Sequence, residues 1–176
     1  MIAYLKGKIV EIGDTYVVVD VNGVGYKVYI SHEAEGWKGL TKDSDIEVYT
    51  SQYFRELEQG LYGFPTPQER NFYELLTTVS GVGPKLASTI LSKFDSENIA
   101  NLIVKEDVVG IVKVPGIGKK VAEKIIVELR EKALEYSNEL PENKGISKKW
   151  RDELEFLAQA LRKLGFNNKE VSEILD

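Results

Sequence analysis

Hydrophobic positions follow two rhythms along this chain, and the change between them marks its organisation. Up to about residue 63 they come in short runs rich in Val, Ile and Tyr: Ile9–Ile12, Tyr16–Val21, Tyr26–Ile30 and Ile46–Thr50. Branched and aromatic side chains suit a pleated, half-buried surface, so these runs read as strands. Gly13-Asp14 and Asn22-Gly23 separate the early runs. Asn-Gly favours a tight hairpin because both positions accept positive φ. Gly25 follows at once and is expected to mark a bulge or sharp bend. Four or five short strands in so few residues predict a small closed barrel of the OB type, with a small open meander as the alternative.

At Pro65-Thr66-Pro67 the period lengthens from 2 to 3.6. Phe72, Leu75, Leu76 and Val79 then share one helical face, with Thr66 as N-cap, Pro67 at the first helical position and Glu69 completing a capping box. The pattern stays helical to about Tyr136. Residues 137–147 hold almost nothing to bury and read as a linker. Beyond them Trp150, Leu154, Leu157, Leu161 and Leu164 mark an amphipathic helix ended by Gly165, and Asn167 with Glu170 opens a last short helix. Some 28 residues cannot bury all of that apolar face, so this end is expected to dock on a partner.

Composition narrows the class without naming it. No apolar run approaches the roughly 18 residues a membrane helix needs. The N-terminus enters strand-like sequence at once, with no signal-peptide pattern expected. The absence of cysteine removes disulfides, thiolate metal sites and cysteine nucleophiles, and suits a reducing compartment. Net charge is −5, which argues against a general polyanion binder, but the distribution matters more than the sum. Residues 1–63 carry 6 basic and 10 acidic side chains, residues 64–135 carry 10 of each, and residues 136–176 carry 7 and 8. The middle segment is the least acidic.

That segment contains an internal repeat. Val79-Ser-Gly81-Val-Gly83-Pro-Lys85-Leu-Ala87 aligns, at an offset of 35, with Val114-Pro-Gly116-Ile-Gly118-Lys-Lys120-Val-Ala122. Each copy reads as helix, Gly-hydrophobe-Gly turn, helix. The glycines allow backbone conformations closed to other residues and a close approach to a ligand. Val82 and Ile117 are expected to turn inward. The first amides of the following helix lack intrahelical partners and sit at the positive end of its dipole, where a phosphate oxygen is the natural ligand. Lys85, Lys119 and Lys120 add charge there, and Lys124 lies one turn on. A single copy reads equally well as a plain turn. Two copies in register, each followed by lysine, point to phosphate-backbone binding with weak sequence preference. Alanine at Gly81 or Gly116 is expected to weaken binding and leave the fold largely intact.

Other nucleotide motifs fail. A Walker A loop ending at Gly118-Lys119 needs Gly at 113 and Ser or Thr at 120, where Lys113 and Lys120 stand. A dinucleotide fingerprint needs glycine where Leu86 and Val121 stand. Any ATP-driven motion must come from a partner.

Beyond the repeat, Met1-Ile-Ala-Tyr-Leu-Lys-Gly7, Val21-Asn-Gly23-Val-Gly25-Tyr26, Leu61-Tyr-Gly63-Phe64 and Ala160-Leu-Arg-Lys-Leu-Gly-Phe166 complete a set of motifs in order. Together they resemble the RuvA family of Holliday-junction-recognition subunits. The resemblance implies an α+β multidomain chain: an OB-fold barrel over 1–63, a tandem helix-hairpin-helix domain over 64–136, and a tethered three-helix, UBA-like domain over 148–176. It implies four-way-junction DNA as ligand and docking of the ATPase RuvB, for which Leu154, Leu157, Leu161, Leu164 and Phe166 are the candidate residues. RuvC resolvase is a further partner, and the assembly is a homotetramer or an octamer. No cofactor or metal is implied, and the setting is the bacterial cytoplasm.

The family also places an acidic hairpin tip, usually Arg-Glu-Asp, where strands cross. Here the stretch is Arg55-Glu56-Leu57-Glu58-Gln59, so Leu57 replaces the second acid and Glu58 follows one position later. Glu56 and Glu58 are the candidate pin, and strand alternation puts them on one face; an ordinary solvated charge cluster is the alternative. His32, the only histidine, has no catalytic companions in sequence. Trp37 reads as a loop or barrel-lid contact. Two other function classes compete. A helix-hairpin-helix glycosylase needs a downstream Asp, yet after Gly118 none occurs before Asp152. A generic DNA-binding scaffold would be monomeric and indifferent to branching.

Overall fold

Asn22 and Gly23 turn the chain with φ of 52° and 87°, and the Asp20 carboxylate accepts the Gly23 N–H at 2.7 Å. This is the doubly positive turn that an Asn-Gly hairpin requires. It joins β2 (Tyr16–Val21) to β3 (Val24–Tyr29), paired without interruption from Val21↔Val24 to Tyr16↔Tyr29. The bulge expected at Gly25 is therefore not there: Gly25 pairs in register with Asp20. The register shift falls in β1 (Tyr4–Ile12), between Ile9 and Glu11. Barrel closure explains the difference. The first half of β1 pairs with β4 (Asp45–Arg55) and its second half with β2, so β1 is the strand that must bend. At Gly7 β1 and β2 lie so close that an added Cβ would overlap the Asp20 carbonyl oxygen.

The computed structural model describes residues 1–31, 33–55 and 58–137. With β5 (Glu58–Phe64) the strands close in the order β1-β2-β3-β5-β4, β3 meeting β5 in parallel at Tyr29↔Tyr62. That is the five-stranded OB topology. Alternation sends Leu5, Ile9, Val17, Val19, Val28, Ile46, Val48 and Leu61 inward. Trp37, on a one-turn helix at Glu35–Trp37, is 4% exposed and packs into the same core.

Among the described residues five α-helices follow: α1 (Pro67–Thr77), α2 (Pro84–Lys93), α3 (Ser96–Val104), α4 (Val108–Val112) and α5 (Lys119–Ala133). Phe72, Leu76, Ile90, Ile99, Ile103, Ile111, Ile125 and Leu129 form their shared core. β5 serves both halves: Leu61 faces the barrel core, while Tyr62 and Phe64 pack with the helices. Tyr73, which the apolar periodicity passes over, lies 4.7 Å from Phe64 and 5.4 Å from Tyr62 between ring centroids, and is buried by that tertiary contact. Trp150, Leu154, Leu157, Leu161, Leu164 and Phe166 lie outside the described residues.

Candidate nucleic-acid interface

Both hairpins are built the same way. Val82 N–H donates to the Val79 carbonyl at 2.9 Å, and Ile117 N–H to the Val114 carbonyl at 3.1 Å, closing two four-residue turns. The third residue of each has positive φ, +98° at Gly81 and +89° at Gly116, and Pro115 holds the second position of the latter turn. A type II turn needs that pairing of fixed and left-handed residues. Val82 and Ile117 are 4% and 5% exposed and anchor the turns in the helical core, as the repeat predicts. An alanine at Gly81 or Gly116 is strained in this conformation, so the expectation of an undisturbed fold fits the second glycine of each pair instead. Gly83 and Gly118 have φ of −85° and −89°, open to any residue, and a Cβ on either meets nothing within 4 Å.

Gly83 and Gly118 are the N-caps of α2 and α5, and neither helix has a side-chain cap or an acid in its first turn. The other three helices are capped internally. Thr66 Oγ1 accepts from Glu69 N–H on α1, Asp95 from Asn98 N–H on α3, and Asp107 from Gly110 N–H on α4. The two hairpin helices thus present their first amides, in open space, to an external acceptor. This contrast is written in the sequence as Gly where Thr or Asp stands elsewhere, a signal that the repeat alone does not use.

Lys85, Lys119 and Lys120 are exposed beside those amides. Lys119 Nζ lies 3.8 Å from Glu123, an exposed pair whose worth of about 0.3–0.5 kcal/mol a phosphate readily displaces. Lys124 behaves differently: its Nζ lies 3.8 Å from Glu128, one turn toward the C-terminal end of α5 and away from the hairpin. On the barrel, Glu56 lies outside the described residues, as does His32. β4 ends at Arg55 and β5 begins at Glu58, its pairing partner.

An OB barrel continued into a tandem helix-hairpin-helix unit is a defined class of protein, and the comparisons place the chain within it. Residues 1–63 match the RuvA N terminal domain family, and residues 73–131 match the SAM-like helix-hairpin-helix tandem. The Holliday junction branch migration complex subunit RuvA of Halalkalibacterium halodurans is 39% identical over 99% of this chain and 88% of its own length. The subunits of the same name from Shouchella clausii and Pelobacter propionicus are each 37% identical, over 99% of this chain and 87% and 88% of their own lengths. The chain belongs to the RuvA family.

Proposed function

We propose that this protein binds four-way DNA junctions through the backbone amides and lysines of its two hairpins, as the RuvA subunit of a branch-migration complex. The observation that carries the reading is the pair of glycine-capped helix N-termini, α2 and α5, where the other α-helices among the described residues carry side-chain caps. Amides held by a rigid scaffold read phosphate positions rather than bases, so the ligand is recognised by shape. The protein is not itself the motor: neither glycine turn satisfies a Walker A loop, and the ATPase is RuvB. In this reading residues 1–63 and 64–136 are the barrel and DNA-binding domains, 137–147 the linker and 148–176 the RuvB-docking domain. A homotetramer in the bacterial cytoplasm would set four hairpin pairs around a square junction, with Glu56 and Glu58 at its centre repelling phosphates and RuvC as a further partner. Gel-shift titration of a four-way junction against a duplex of equal length, with native mass measurement, tests it. Preference for the junction by at least about tenfold, from a tetramer, is expected; equal affinities from a monomer overturn it.

A further inference from the structure

A cleft of about 1270 Å³ lies between the barrel and α2, and the hairpin reading does not use it. One wall is Tyr29, Tyr53 and Tyr62 on β3, β4 and β5; the other is the Lys85, Ser88 and Ser92 face of α2. We propose that this cleft is a second DNA site, which takes a short unpaired single strand. The inference rests on the protein being a DNA binder, and it assigns a different form of DNA to a different surface.

Three observations support it. The first is position. OB barrels bind oligonucleotides across strands 2 and 3 and the loops joining strands 1–2 and 4–5. Here the barrel wall is made by the end of β3, by Asp14 and Thr15 of the β1–β2 loop, and by Tyr53 and Gln59 beside the β4–β5 turn. The second is the platform. The rings of Tyr29 and Tyr62 lie 5.5 Å apart, and Tyr62 is backed by Tyr73 at 5.4 Å, so the surface is held rigidly from behind. Gly60, facing Tyr53 across the β4–β5 ladder, leaves it uncovered: a Cβ there would stand 3.3 Å from Tyr62 Cε2 and 3.5 Å from Tyr29 Cε2. Every base has a π-face, so stacked tyrosines beside a cationic track are a general means of holding single strands.

The third is charge and continuity. Lys85 belongs both to this cleft and to the first hairpin, and Pro115 of the second hairpin reaches its edge. Lys27 extends the track at the far side, its Nζ 3.8 Å from the Tyr16 ring centroid and 5.8 Å from that of Tyr29. Glu33 on the rim is paired with Lys93. Asp14 and Glu33 offset two of the three lysines Lys27, Lys85 and Lys93, so attraction for phosphate alone is modest and stacking must contribute most of the affinity. That selects for DNA with exposed bases, which a branch point supplies as strands separate. The volume exceeds the ~300–1,000 Å³ of a small-molecule pocket, as a run of nucleotides needs.

Fluorescence anisotropy of the full chain with an oligo-dT of about 16 nucleotides tests this, alongside a blunt duplex. Tyr53→Ala and Tyr29→Ala should each weaken oligo-dT binding about 5–150-fold, the range for losing one stacked base, with duplex affinity unchanged within about twofold. Tyr53→Phe should restore it. Lys119→Ala with Lys120→Ala should show the reverse pattern. In the wild-type chain, a 5-iodouracil oligonucleotide should crosslink at residues 29, 53 or 62. Crosslinks confined to 81–85 and 116–124 overturn the proposal. So do tyrosine variants that change the sedimentation coefficient but not oligo-dT affinity, because the cleft is then covered by a second copy of the chain. Duplex and junction binding without oligo-dT binding overturns the cleft alone; failure to bind any DNA overturns both readings.

Discussion

Gly116 shows how one residue couples the fold to the site. Its φ of +89° and the Leu86 methyl 3.3 Å from a would-be Cβ mean that alanine is both strained and tight there. Gly116→Ala should therefore lose about 1–2 kcal/mol of stability, read as a lower urea midpoint, as well as DNA affinity. A variant with unchanged midpoint would mean the turn relaxes without cost. This glycine was legible in the sequence because a type II turn is a local requirement. Glu69 was only half legible. As an acid in the first turn of α1 it is favoured by the helix dipole, which should lower its pKa. Burial and the nearby Asp95 carboxylate win instead, and push it up to about 7 from an ordinary 4.5. Between those values the folded protein holds a proton that the unfolded chain has released, so this group's contribution to stability falls as pH rises from 4.5 to about 7. Glu69→Gln should accordingly raise the melting temperature at about pH 8 and nearly lose that advantage at about pH 5, where the native acid is protonated too. Equal offsets at both pH values would show that Glu69 titrates normally.

The described α-helices begin in two ways. Side-chain caps close the N-termini of α1, α3 and α4, whereas glycine on α2 and α5 leaves the first-turn amides with no side-chain acceptor. Gly118→Asp should convert α5 from the second kind to the first. Its φ of −89° accepts aspartate, nothing within 4 Å opposes the side chain, and the carboxylate can accept from the first-turn amides. The melting temperature should hold or rise slightly, because Asp exceeds Gly as a cap by only a few tenths of a kcal/mol, while junction affinity falls at least about tenfold. Undiminished binding would exclude the α5 terminus as a phosphate contact. Element boundaries were less legible than elements. β5 carries Gly60 and Gly63, poor strand formers by propensity, and is defined by pairing with β4. At Gly63 a side chain would stand 2.5 Å from Val28 Cγ1 and 2.6 Å from Val48 Cγ1, so barrel packing, not local preference, selects glycine. The displaced bulge has the same origin: closure bends β1, and nothing local to Ile9–Glu11 announces it.

Over the whole molecule, a chain of net charge −5 can bind a polyanion only if its lysines are placed where amides already aim at phosphate. Lys119→Ala with Lys120→Ala should therefore flatten the log–log salt dependence of duplex binding, by up to about 1.8 if both neutralise a phosphate at about 0.9 each. An unchanged slope would put both side chains in solvent. The two hairpins were legible from the repeat, but the cleft was not, because β3, β4, β5 and α2 meet there only in three dimensions. Tyr136 packs edge-on against Phe72 at 5.0 Å, and the Ser137 hydroxyl donates to Asn101 on α3, so the helical unit extends through residue 137. The barrel, both hairpins and their common core lie before that point. Leu154, Leu157, Leu161 and Leu164 lie after it, at the three- and four-residue spacing from which the sequence predicts one apolar helical face. A face of that kind suits docking into a partner's groove, and we propose RuvB as that partner. Deleting residues 138–176 should leave junction affinity within about twofold and the oligomer intact, yet abolish stimulation of the RuvB ATPase and of branch migration. A truncated chain that still drives branch migration would move the docking surface onto the barrel or the helices; one that loses junction binding would show that the tail contributes to the DNA site.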